Sequence, residues 1–153
     1  MSTTRMSRFI AAPRSAVYRA LTDASAVAAW RVPDGMTGHI HVYEPCVGGA
    51  FRISLSYDRP TGAGKTDLAT DTYQGRFVAL VQDEQVVETM AFETEDPAMQ
   101  GWMILTVSLS DRDGGTWLDA VHDNVPPGVS PQDNETGWRM ALDKLAAMVE
   151  RDR

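Results

Sequence analysis

The alternation of hydrophobic periods along this 153-residue chain predicts an α+β fold in which an antiparallel sheet packs against helices. Three observations carry that expectation. Two short helical stretches follow a first strand, a long central region alternates apolar and polar residues between tight turns, and one helical stripe closes the chain. No parallel βαβ alternation interrupts this order, and no internal repeat, linker or low-complexity tract divides it, so one domain spanning 1–153 is expected, with its core at about 5–150.

The first strand is expected over 5–11 and stops at Ala12-Pro13, because proline suits the start of a helix rather than a strand. Val17, Ala20 and Leu21, with Tyr18 beside them, make the apolar stripe of a helix over about 14–22. Asp23-Ala24-Ser25 offers a cap for a second short helix that ends near Trp30, ahead of Pro33-Asp34-Gly35. Val42-Tyr43-Glu44 then leads to Gly48-Gly49, after which Phe51, Ile53, Leu55 and Tyr57 alternate with polar residues as a half-buried strand. Strands are expected over 73–81 and 85–93 around Gln82-Asp83-Glu84, and over 102–110 and 116–122 around Asp113-Gly114-Gly115. Such short connections imply an antiparallel meander. Ser130-Pro131-Gln132-Asp133 reads as cap, first-turn proline and acidic third residue, and Trp138, Ala141, Leu142, Leu145 and Val149 share one face of the final helix.

Composition excludes several function classes. A net charge of −7 argues against a nucleic-acid partner and disfavours an anionic membrane surface. The single cysteine, Cys46, excludes an internal disulfide and a cysteine-rich metal site. No apolar run reaches the roughly 20 residues needed to cross a bilayer, and the polar first residues lack a signal peptide's apolar core, so a cytoplasmic location is expected. Gly62-Ala63-Gly64-Lys65-Thr66 has the spelling of a phosphate-binding loop, but Arg59 stands where its first glycine is required. Pro60 removes a backbone donor, and no helical stripe follows to present its N-terminus to a phosphate. The segment is read as a hairpin loop.

The ordered motifs Ala12-Pro13, Val17-Tyr18-Arg19-Ala20-Leu21-Thr22-Asp23, Trp30 with Pro33, Val47-Gly48-Gly49, Gly115-Thr116, His122 and Gly137-Trp138 resemble the activator of heat-shock protein 90 ATPase homologue family, within the START-like (SRPBCC) superfamily. The resemblance runs from about residue 5 to 150. It implies a helix-grip: a curved seven-stranded antiparallel sheet around a long C-terminal helix, with two short helices after strand 1. It also implies a cavity for a small hydrophobic or amphipathic molecule, with no cofactor and no metal. Regulation of a chaperone ATPase by protein contact and cofactor-independent cyclase or hydrolase activity are the two alternatives, in a monomer or homodimer.

Candidate ligand-binding residues follow from aromatic and methionine positions. By the resemblance Trp30 and Trp138 lie near the cavity or its mouth, and Trp102 begins a strand; Met36, Phe51, Tyr73, Met90 and Phe92 are secondary lining candidates. Indole N–H groups orient polar ends, and methionine adapts to different shapes. Tyr73, Arg52 and Glu88 are candidates for polar contacts inside the cavity. His39 and His41 share a strand face and would need His122 or Glu44 to complete a zinc site. His122 and Asp123 are adjacent on a strand and face opposite ways, which disfavours a base with its orienting carboxylate. Asp67 with Asp71, and Asp119 with Asp123, read as solvated edge residues, and no nucleophile elbow or other catalytic centre is evident.

Overall fold

In the computed structural model, which describes residues 1–58 and 70–151, the chain order is strand, two helices, six strands and a long helix. The expected hairpin loop at 59–67 lies outside the described residues. The first strand, β1 (Ser2–Ile10), starts earlier than the sequence pattern indicates, because Ser2 and Thr4 already pair with the end of the last strand. Helix α1 (Arg14–Leu21) begins directly after Pro13, and α2 (Ala24–Trp30) begins at Asp23, whose carboxylate accepts from Ala26 N at 2.9 Å and from Ser25 Oγ at 2.6 Å. The Trp30 indole donates to the Ala20 carbonyl at 2.9 Å, locking the two helices together.

The meander consists of β2 (Met36–Tyr43), β3 (Ala50–Tyr57), β4 (Thr70–Val81), β5 (Gln85–Phe92), β6 (Met103–Arg112) and β7 (Gly115–Val125). The described strands form one sheet in the order β1-β7-β6-β5-β4-β3-β2, every neighbour antiparallel. The two short helices therefore carry the chain from one sheet edge to the other, and the meander returns it to β1. Strand β2 is nearly silent in the sequence because its inward positions are Met36, the side-chain-free Gly38 and Ile40, after which a register shift breaks the alternation. The bend between β2 and β3 uses Gly48 at φ +83°, a conformation that favours glycine.

Helix α3 (Pro131–Arg151) lays Ala141, Leu142, Leu145, Ala146 and Val149 against the inner sheet face. Its entry is built as the sequence pattern indicates, with Asp133 N donating to Ser130 Oγ at 3.3 Å and Asn134 N to the Ser130 carbonyl at 2.9 Å. Thr116, fully buried, donates to the Ala12 carbonyl at 2.7 Å and so ties the start of β7 to the β1–α1 junction. This is the helix-grip arrangement: a curved sheet holding one long helix.

Gly75 has no Cβ because the Phe51 ring crosses it; a Cβ there would stand 2.7 Å from Phe51 Cζ and collide with the Thr89 carbonyl oxygen. Gly75→Ala is therefore expected to lower unfolding stability by about 1–3 kcal/mol, read as a shift in the urea midpoint with the slope unchanged.

Candidate functional site

The buried polar groups of the inner face decide where the core ends and a cleft begins. Arg31 is the residue that terminates α2, its N–H bonded to the Val27 carbonyl at 3.0 Å, and its side chain is directed under the sheet. There Nη1 donates to both Glu88 oxygens, at 2.9 and 3.1 Å, with both side chains almost fully buried. The guanidinium lies 5.3 Å from the Trp138 ring centroid, 5.4 Å from Tyr73 and 6.0 Å from Phe51, an aromatic collar that favours a cation. Burial, the largest single influence, opposes its charge, but the Glu88 carboxylate together with Tyr73 and Tyr43 outweighs that opposition and holds the Arg31 pKa above its ordinary range.

A second polar group sits beside it. His122, on the inner face of β7, accepts at Nδ1 from Trp138 Nε1 at 3.1 Å, and Asn134 Nδ2 lies 3.1 Å from the same atom and 3.0 Å from Thr4 Oγ1. The imidazole and indole rings meet edge-on at 82° with centroids 5.8 Å apart. Burial first and Arg31 second pull the His122 pKa down to about 4, against an opposite pull from Asp123.

Between these groups and α3 opens a cleft of about 530 Å³, within the roughly 300–1,000 Å³ range of small-molecule sites. Its walls are largely apolar: Met36 and Leu55 on β2 and β3, Tyr73, Met90 and Phe92 on β4 and β5, Trp138 and Met140 on α3. Met99, from the 3-10 turn Pro97–Met99, and Val129 border it on the side of the loop leading into α3. That loop is held down by Gly128 N, which donates to the Ala98 carbonyl at 2.7 Å.

Five of the eight expected ligand-binding residues therefore meet at one cleft: Met36, Tyr73, Met90, Phe92 and Trp138. The other three do not line it. Trp30 is 2% exposed and is used up between α1 and α2, and Phe51, part of the Arg31 collar, is 1% exposed and packed against Phe77. Trp102 is 58% exposed, because it precedes β6 rather than belonging to its inner face. Arg52 faces the outer side, where it pairs with Glu93 at 2.6 and 2.8 Å. His39 and His41 also lie exposed on the outer face with ring centroids 4.5 Å apart, separated by the sheet from inward-facing His122. Among the described residues no group of three or more His, Cys, Asp or Glu side chains could hold a metal ion.

The helix-grip arrangement is shared with solved proteins. The family model described as Activator of Hsp90 ATPase homolog 1-like protein matches residues 11–150. The chain belongs to that family. A solved protein from Chromobacterium violaceum is 30% identical, with a TM-score of 0.85 and 98% of this chain and 99% of that one covered. Two others share the fold at lower identity: a Rhodobacter sphaeroides protein (22% identical, TM-score 0.81, 99% and 94% covered) and an AHSA1-like protein from Aeromonas hydrophila (19%, 0.70, 99% and 94%). Compared with curated proteins, the chain finds no match. As in the sequence, no helix among the described residues of this family member is long and apolar enough to cross a membrane.

Two measurements test the electrostatics of the site. Glu88→Gln, which leaves the Arg31 charge buried without its counter-ion, is expected to cost about 3–5 kcal/mol, whereas the double change Arg31→Met with Glu88→Leu costs far less; chemical denaturation of the three proteins checks this. For His122, the unfolded chain takes up a proton near the ordinary value of 6.5 and the folded chain only near 4. Its stabilising contribution is therefore complete above pH 6.5 and is lost as pH falls toward 4. Between pH 7 and pH 5 this amounts to about 2 kcal/mol, and the part due to His122 disappears from the pH profile of His122→Asn.

Proposed function

We propose that this family member binds a small, mainly hydrophobic molecule in the cleft between the sheet and α3. The observation that carries the reading is the cleft itself, a space of about 530 Å³ walled by methionine and aromatic side chains. Burying apolar ligand surface there supplies the binding free energy, at roughly 25 cal/mol per Å². Met36, Met90, Met99, Met103 and Met140 give the wall an adaptable shape. Trp138, Tyr73 and Phe92 provide flat faces against which a ring system can stack.

N-phenyl-1-naphthylamine, an uncharged apolar fluorophore, tests the reading. It is expected to bind saturably at one site per chain, with enhanced emission and a raised Tm. Met36→Glu, at a half-buried position of the wall, is expected to weaken that binding at least tenfold without lowering the Tm of the free protein. No saturable binding, or binding unaffected by Met36→Glu, overturns the reading. The alternatives implied by the family resemblance have their own readouts: a regulator of a chaperone ATPase would raise the chaperone's ATP turnover with the cleft blocked, and a cyclase or hydrolase would convert its cleft-bound substrate.

A further inference from the structure

The hydrogen bonds around His122 determine its tautomer. An indole N–H can only donate, so His122 Nδ1, which receives it from Trp138 at 3.1 Å, must present its lone pair. Burial and the neighbouring Arg31 keep the ring neutral at physiological pH. A neutral imidazole with an accepting Nδ1 carries its proton on Nε2. That Nε2 is buried and has no hydrogen-bond partner, while the imidazole forms part of the cleft lining. His122 as a whole is 4% exposed, so bulk water does not satisfy the donor. Buried donors are nearly always paired, and an orphan at a binding cleft calls for an acceptor supplied by the occupant.

The charge of that acceptor is also constrained. Among the described residues Arg31 is the only cation lining the cleft, and Glu88 already neutralises it at 2.9 Å. Asp133 lines the same cleft, and Asp34, also in its lining, is already bridged by Lys144 at 3.2 Å, so among the described residues the cleft lining offers a ligand carboxylate no unengaged cation.

We propose that the His122 Nε2–H is the specificity-determining donor of the cleft, and that its ligand is an amphipathic molecule offering an uncharged carbonyl-type oxygen at the end of an apolar skeleton. This rests on the cleft being a ligand site. Trp138 and Asn134 then act as positioning residues: by occupying Nδ1 they fix the proton on Nε2 and aim it at the cleft.

Three probes of one skeleton separate the possibilities: 2-acetylnaphthalene, 2-ethylnaphthalene and 2-naphthoate. The informative quantity is the ratio of acetyl to ethyl affinity, compared between proteins, since the two probes differ in hydrophobicity. That ratio is expected to fall about tenfold in His122→Asn. In that variant the asparagine oxygen still accepts from Trp138, but the shorter side chain places no N–H at the position of His122 Nε2. His122→Gln, which extends an amide N–H in the direction of Nε2, is expected to retain most of the ratio, and 2-naphthoate is expected to bind weakest. In the wild-type protein, ¹⁵N NMR should show a pyrrole-like Nε2 and a pyridine-like Nδ1, with 2-acetylnaphthalene shifting the Nε2–H resonance and 2-ethylnaphthalene leaving it nearly in place. An Nδ1–H tautomer, equal shifts with both probes, or an unchanged ratio in His122→Asn overturns the assignment of His122 while leaving the cleft as a binding site. Binding of none of the probes overturns both.

Discussion

A charge pair buried beneath an aromatic collar sets the geometry on which the rest of this protein depends. Arg31 leaves the end of α2, and Glu88 projects from β5, so their contact bridges the helical crossover to the middle of the sheet. Placing either charge there alone is prohibitive, and placing both requires each to reach the other accurately. The pair thereby specifies where α2 ends, how far it stands from the sheet and which face of β5 turns inward. Trp138 lies over the same guanidinium, which extends this constraint to α3.

The cleft is a consequence of that arrangement. Along α3, the small and branched residues from Ala141 onward are buried against the sheet, whereas the earlier turns meet it through the polar contacts of Asn134 and Trp138 and leave the cleft beside them. Trp138 divides the two regimes, with one ring edge bonded to His122 and one face toward Arg31. Polar groups therefore floor a space whose walls are methionine and aromatic. Such a surface can reward an apolar skeleton by burial and discriminate among skeletons by one directed hydrogen bond, a division of labour common to small-molecule sites.

The outer face of the sheet follows a different logic. Arg52 with Glu93, and His41 with Ser54, which in turn bonds the buried Thr72, form polar contacts between neighbouring segments of the sheet. Contacts of this kind contribute little energy individually. They nevertheless oppose any register in which β3 and β4 turn their apolar residues outward, because a one-residue slip would bury Arg52 and expose Phe51.

Much of the architecture was legible in the linear pattern because it rests on local chemistry. The Asp23 cap, the Pro13 and Pro131 helix starts, the Ser130 entry and the strict alternation of Phe51, Ile53 and Leu55 each act within a few residues. Strand β2 was obscured because Gly38 and the register shift after Ile40 erase its period. For the cleft, apolar identity at Met36, Tyr73, Met90, Phe92 and Trp138 was sufficient to nominate the lining, but the same criterion also nominated Trp30, Phe51 and Trp102. Apolar identity measures the tendency to leave water, not the partner that receives the side chain. The partnership of Arg31 with Glu88, 57 residues away, and of His122 with Trp138 had no mark in the sequence, since Glu88 could be nominated only as a polar contact of the cavity and His122 only as a metal ligand or base, neither with the partner it meets. Helix caps and strand periods were determined by the sequence itself, while the buried charges and the tautomer of His122 were decided only when the sheet closed round its helix and removed the water that would otherwise have satisfied them.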